Sequence, residues 1–127
     1  MKQSEKKYKC AIIDDDLSSI GILSDYIAMV PKLALVKAFL NPLTAVSELA
    51  RNQDLDFLFL DINMPVSGLD VAIRLRDKVQ YIILVTGHSD HALSAFRVQA
   101  DKFLVKPVSF PKFLSTINQL LCKKIDI

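Results

Sequence analysis

The chain has 127 residues, 51% of them hydrophobic and 24% charged, the size and balance of one domain with a core of its own. No apolar run reaches the roughly 18–20 residues needed to cross a bilayer, and the charged start MKQSEKKYK lacks the apolar stretch of a secretory signal, so a cytoplasmic protein is expected. The net charge of +2 sits in the tails (Lys2, Lys6, Lys7, Lys9, Lys123 and Lys124), while residues 10–122 hold 10 Lys/Arg against 12 Asp/Glu, a net of −2 that offers no nucleic-acid footprint of its own.

The first apolar run, residues 9–13, reads as a buried strand containing Cys10. The other cysteine, Cys122, is distant, and two such cysteines in a chain without a signal read as free thiols rather than a disulfide. Residues 16–30 place Ile20, Leu23, Ile27 and Val30 at helical spacing, with Pro31 as the stop. A second strand is predicted over 33–39. Asn41-Pro42 then forms an N-cap with proline at the first helical position, opening a helix whose stripe is Leu43, Val46, Leu49 and Ala50. A third strand over 57–60 does not alternate with polar residues, as expected where both faces are buried. Residues 67–77 form a third helix, with Asp70 and Arg74 four apart. A fourth strand over 81–85 is likewise continuous. Ser89 caps a fourth helix with Ala92, Leu93 and Phe96 inward. A fifth strand over 102–105 precedes a last helix capped by Ser109, with stripe Phe113, Ile117 and Leu121 flanked by Leu114 and Leu120.

The alternation is (βα)5. It argues an α/β fold of the flavodoxin-like kind, a three-layer sandwich with a parallel sheet between helices. Strand order 2-1-3-4-5 is taken from that fold class rather than from the residues. No internal repeat, low-complexity tract or linker interrupts residues 1–127, read as a single domain with its core over about 8–122.

In open α/β sheets ligands bind beyond the carboxyl ends of the strands. Asp14, Asp15 and Asp16 follow the first strand, Asp61 the third, Thr86 the fourth, and Lys106-Pro107 the fifth. The expected fold brings them to one edge. Carboxylates so placed repel and need a compensating cation. Mg²⁺ (or Mn²⁺) suits oxygen ligands, with Asp15 and Asp61 direct, Asp14 through water, and the backbone carbonyl of Asn63 as a further ligand. Lys106 adds a mobile point charge and Thr86 a hydroxyl donor. This set fits phosphoryl transfer, with Asp61 as nucleophilic acceptor and the metal, Lys106 and Thr86 each holding a phosphoryl oxygen. Gly87 leaves room for a donor.

At these residues the chain resembles the receiver domain of two-component response regulators. The motifs are AIIDDD at 11–16, LFLDINMPVSGLD at 58–70, ILVTGHSDHALSAF at 83–96 and DKFLVKP at 101–107. Their order and strand context make the resemblance specific, and it covers about residues 8–122. It implies Asp61 as phosphoacceptor, Asp14 and Asp15 as the acidic metal-binding pair, Thr86 and Lys106 as the groups that hold the phosphoryl oxygens, and a cis Lys106-Pro107 peptide. It also implies a sensor histidine kinase as donor, and no enzymatic activity beyond the domain's own phosphotransfer and dephosphorylation. The segment 86–96, with FLDINMP and FLVKP, is most similar to receivers of LytTR (LytR/AlgR-type) regulators, which usually carry a C-terminal DNA-binding domain. Either this is an isolated receiver or that output domain lies outside the given chain; the second is the expectation. Phosphorylation is then expected to repack the face of the fourth helix, fifth strand and fifth helix, pairing it with a second copy and controlling transcription. There is no nucleic-acid or membrane contact through this domain itself.

Phe103 falls where receivers place an aromatic rotameric switch, and reads equally as a buried strand aromatic. It has no hydroxyl to bond Thr86, and residue 87 is Gly rather than the commoner Ala. Asp16 reads as an N-cap, and His88 as a residue at the pocket rim. A phosphatase that uses an Asp nucleophile needs an acid two residues on, where Asn63 stands. A pseudo-receiver that never takes phosphate is the alternative, disfavoured because the nucleophile, the lysine and the acidic pair are all present.

Overall fold

Runs of β-branched and aromatic residues too short for a helix form the strands here, and the computed structural model, which describes residues 7–51, 54–64, 68–87 and 99–122, carries them in the expected alternation with helices. In chain order the elements are β1 (Tyr8–Ile13), α1 (Leu17–Met29), β2 (Leu33–Phe39), α2 (Pro42–Leu49), β3 (Leu55–Asp61), α3 (Gly68–Leu75), a 3₁₀ turn (Arg76–Lys78), β4 (Val79–Thr86), β5 (Lys102–Val105) and α4 (Phe110–Cys122). The helix expected between β4 and β5, with Ser89, Ala92, Leu93 and Phe96, lies outside the described residues, as do His88 and His91.

All strand pairs are parallel and the order is 2-1-3-4-5. β3 and β4 lie inside the sheet. Phe57–Asp61 and Tyr81–Thr86 are buried throughout, which is why their sequences do not alternate. Two apolar clusters fill the two faces. Ala45 and Leu49 of α2 and Val71, Ala72 and Leu75 of α3 pack with Ala11, Leu58, Leu60, Ile82 and Leu84 on one side. Leu23 and Ile27 of α1 and Phe113, Ile117 and Leu120 of α4 pack with Ile12, Phe59, Ile83 and Val85 on the other. Phe59 and Phe113 stack with ring centroids 5.4 Å apart. Burying such a ring is worth about 2–3 kcal/mol. β2, an edge strand, exposes Leu35, Val36 and Lys37 and carries a bulge between its pairings with Cys10 and Ala11, a feature that blunts an edge against further pairing.

The helix starts follow local chemistry. Asp16 Oδ1 accepts from the Ser18 N–H, and Asn41 Oδ1 from the Leu43 N–H. Ser109 Oγ accepts from the Lys112 N–H. One expectation holds only in part: Leu49 is buried and Val46 packs against the core, but Leu43 is 63% exposed and Ala50 is exposed, Pro42 and Ala45 taking the inner places instead. Docking onto the sheet and α3 selects its inner face, and an eight-residue helix apolar on several sides has no periodicity strong enough to predict that choice. In α4 the buried face is Phe113, Thr116, Ile117 and Leu120, with Leu121 only partly covered. Cys10 and Cys122 are free, and burial pushes the Cys10 thiol up to about 12, leaving it inert.

Candidate functional site

Each residue expected to meet metal or phosphate sits at the carboxyl end of a strand or within two residues of it, so the parallel sheet delivers all of them to one edge. Asp14 follows β1, its N–H bonded to the Phe39 carbonyl at the end of β2 (3.0 Å). Its carboxylate is 1% exposed and engaged at both oxygens: Oδ1 accepts from the Asp16 N–H at 2.9 Å and Oδ2 from Lys106 Nζ at 2.9 Å. Asp15 beside it is exposed. Asp61, the last residue of β3, is 5% exposed and lies 3.8 Å from the same Lys106 ammonium. Its Oδ1 also accepts from the Asn63 N–H at 3.3 Å. Thr86 closes β4 fully buried, its hydroxyl accepting from Asn63 Nδ2 at 3.4 Å.

Lys106 reaches this place because the chain after β5 is tied down twice. Its N–H donates to the Thr86 carbonyl at 2.7 Å. The Lys106-Pro107 peptide is cis, and the Val108 carbonyl accepts from Tyr26 Oη at 2.7 Å. Tyr26 is itself packed 5.4 Å from the rings of Phe110 and Phe113. Phe103 on β5 is partly buried against the α2–α3 side of the core.

Asp14, Asp15 and Asp61 each bring an oxygen within 4.8 Å of the others'. Three carboxylates against one ammonium leave two negative charges when all are ionised. The consequence shows at Asp61, whose carboxyl is raised from 3.8 to about 6. Burial is the largest cause and Asp14 the next. Lys106 and the Asn63 N–H pull the other way, and Asp15 adds to the rise. The donor set, all oxygen and two charges in excess, fits a hard divalent cation.

Gly68 opens α3 directly beneath this edge. A Cβ there would lie 2.2 Å from the Asp61 carbonyl oxygen and 2.7 Å from the Ile62 Cα, so only glycine lets α3 approach β3 this closely. Its place at the start of an apolar helix, in a chain with three glycines, is the signal the sequence offers. Among the described residues nothing lies within 4 Å of the corresponding position at Gly87. A shallow groove of about 310 Å³ adjoins Lys106, with Ile22, Leu23, Val85, Pro107 and Val108 as its apolar lining. A second cleft, of about 350 Å³, lies at the opposite ends of the strands, where Lys7, Lys9 and Lys78 offset Asp54, Asp56 and Asp77. No further carboxylate cluster of ligand spacing falls there among the described residues.

A family model described as the response regulator receiver domain matches residues 10–118. A response regulatory protein of Vibrio cholerae is 32% identical over 117 residues, covering 89% of this chain and 44% of that protein. The sensory transduction protein LytT of Enterococcus faecalis is 31% identical over 111 residues, covering 85% of this chain and 46% of LytT. The crystal structure of the response regulatory domain of MrkE from Klebsiella pneumoniae has a TM-score of 0.81 at 26% identity, covering 91% of this chain and 96% of that one. The chain spans about half the length of the curated relatives it matches.

Proposed function

The chain belongs to the response regulator receiver domain family, and on that premise we propose that it is a phosphoryl-accepting switch whose acceptor is the Asp61 carboxylate. Phosphorylation by a histidine kinase is general for the family. The observation that carries the assignment to Asp61 is the sharing of one ammonium, Lys106 Nζ, between Asp14 at 2.9 Å and Asp61 at 3.8 Å. Lys106 thereby offsets part of the pocket's negative charge while remaining beside the nucleophile.

In the proposed step an Asp61 carboxylate oxygen attacks the phosphorus of a phosphohistidine. The new O–P bond forms as the P–N bond breaks, and the imidazole nitrogen leaves with the electron pair. The acyl phosphate that results needs no proton from the protein, but Asp61 has to be ionised at the start. Asp14, Asp15 and Asp61, with the backbone carbonyl of Asn63, would hold Mg²⁺ or Mn²⁺, whose charge offsets theirs and that of the phosphoryl group. Asp14 has both oxygens occupied, which suits it to act through water, whereas Asp15 is exposed. Lys106 and the Thr86 hydroxyl bind two of the phosphoryl oxygens. Gly87, with only a hydrogen for a side chain, leaves room for the donor, and the apolar groove beside Lys106, which includes exposed Ile22 of α1, offers it a docking surface.

Capture of the phosphoryl group draws Thr86 and Lys106 inward and repacks the face of β5 and α4, with Phe103 as the aromatic that changes position. That face would pair two copies and pass the signal to an output domain, of the DNA-binding LytTR type, in the part of the protein beyond this domain. The setting is cytoplasmic; no helix among the described residues is long and apolar enough to cross a membrane.

The test is intact mass after incubation with acetyl phosphate and Mg²⁺, beside an Asp61→Asn control. A gain of one phosphoryl mass, lost in the control and without metal, is expected. No gain, repeated with a histidine kinase as donor, would leave an interaction module that works without phosphate.

A further inference from the structure

β4 is eight residues long, but β5 is four and pairs only with Ile83–Thr86. Among the described residues, the first part of β4, Val79–Ile82, has no strand beside it on that side. Two side chains stand in for the missing strand. Arg76 Nη2 donates to the Val79 and Gln80 carbonyls at 3.1 and 2.9 Å. Asp101 brackets Ile82, with Oδ2 accepting from its N–H at 2.8 Å and the Asp101 N–H donating to its carbonyl at 2.8 Å. Arg76 Nη1 joins the two halves, donating to Asp101 Oδ2 at 3.1 Å and to the Gln99 carbonyl at 2.7 Å. Gln99 has φ 59, the one non-glycine residue in the left-handed region among those described. The backbone therefore enters β5 through a conformation that side-chain-bearing residues rarely adopt, and Arg76 grips it there.

β5 is an edge strand with one sheet neighbour among the described residues, and only Leu104 of its four residues is buried; Lys102 Nζ donating to Gln119 Oε1 and Phe103 resting on the α2–α3 side of the core complete its hold. A strand is close to full extension, at about 3.3 Å per residue, and does not stretch. A slide at Lys102 is therefore passed along the strand to Lys106, against the hold of the Thr86 carbonyl on its N–H and of Tyr26 on Val108, and its ammonium has to stay within reach of both Asp14 and Asp61. We propose that the Arg76–Asp101 pair is a register lock for β5 that positions Lys106, and so governs the rate at which Asp61 takes a phosphoryl group. This inference rests on the phosphoacceptor reading of Asp61. The carboxylates that would hold a metal sit just after β1 and at the end of β3, none on β5, so the lock acts on the lysine and not on the metal.

The variant is Arg76→Gln in the whole chain, with three readouts. Phosphoryl uptake from acetyl phosphate, followed by intact mass, is expected to fall by about ten- to a hundredfold, the usual effect of a misplacement near 1 Å. Mg²⁺ affinity by calorimetry is expected to stay within about twofold, since carboxylates on other strands set it. Exchange of the Lys106 N–H, bonded to the Thr86 carbonyl, is expected to quicken by about tenfold or more as β5 loosens. Arg76→Lys, which keeps the charge without the fork, falls between, and Asp101→Asn moves in the same direction as Arg76→Gln. Leu49→Val in the α2 core lowers stability without touching β5 and keeps the uptake rate. Uptake by Arg76→Gln at the wild-type rate overturns the lock, as does an equal loss in Leu49→Val at matched melting temperature. If the wild type itself takes no phosphoryl group, the phosphoacceptor reading fails. The exchange of Lys106 then decides the lock alone, and unchanged exchange rejects it.

Discussion

Replacing Asp61 by Asn removes the site's nucleophile and should nevertheless stabilise the metal-free fold. The Asp61 carboxyl titrates near 3.8 in an unfolded chain and at about 6 in the folded one. Each factor of ten in that equilibrium is worth about 1.4 kcal/mol, so keeping Asp61 ionised in the fold costs about 3 kcal/mol above pH 7. Because the folded carboxyl binds its proton more tightly, the stability it confers is fully present below pH 3.8 and is lost as pH rises through about 6. An amide mimics the protonated group and keeps an acceptor for the Asn63 N–H. The gain from Asp61→Asn should therefore be near zero at pH 4, grow through pH 5–6 and level off near 3 kcal/mol, or about 10 °C in melting temperature for a chain of this size. The assay is thermal unfolding in the presence of a chelator from pH 4 to pH 8. Mg²⁺ should then narrow the gap by binding the wild type more tightly than the variant. A gain that is absent at pH 8, or larger at pH 4 than at pH 8, would refute the account of a carboxylate crowded by burial and by Asp14.

Lys106→Met should have the opposite sign. It strips the ammonium from two nearly buried carboxylates and should cost about 3 kcal/mol at pH 7 without metal, less at pH 4.5, as read from urea midpoints. A cost independent of pH would mean lost packing rather than lost charge. Gly68→Ala should cost about 2–4 kcal/mol, because both atoms its Cβ would strike belong to backbone, whereas Gly87→Ala should stay within about 0.5 kcal/mol. Equal urea midpoints for the two would show that α3 can draw back freely. Asp16→Ala should cost about 1 kcal/mol through the lost cap on α1; a wild-type melting temperature would show that the Ser18 N–H finds another acceptor.

Much of the fold was legible because strand composition and helix caps are local. The runs at 33–39 and 102–105 match β2 and β5 residue for residue, and the other three strands only lengthen. Asp16, Asn41 and Ser109 cap as their chemistry demands. The inner face of α2 was not legible. Leu43 and Leu49 are equally apolar, and only the neighbouring sheet and α3 distinguish them. No ion pair joins Asp70 to Arg74 among the described residues, although their spacing permits one.

The sequence by itself determined which groups meet at this edge, because each stands at the end of a strand or just after it and a parallel sheet sends all those ends to one edge. Tertiary structure decided how those groups share charge. Lys106 binds Asp14, 92 positions away, more closely than it approaches Asp61, and the burial of Asp61 beside Asp14 lifts its carboxyl to about 6. It also decided that Gly68 has to be glycine and that Arg76 and Asp101 complete the edge of β4. Distance and desolvation belong to elements remote in sequence that meet only when the layers pack, and no local pattern of residue types encodes them.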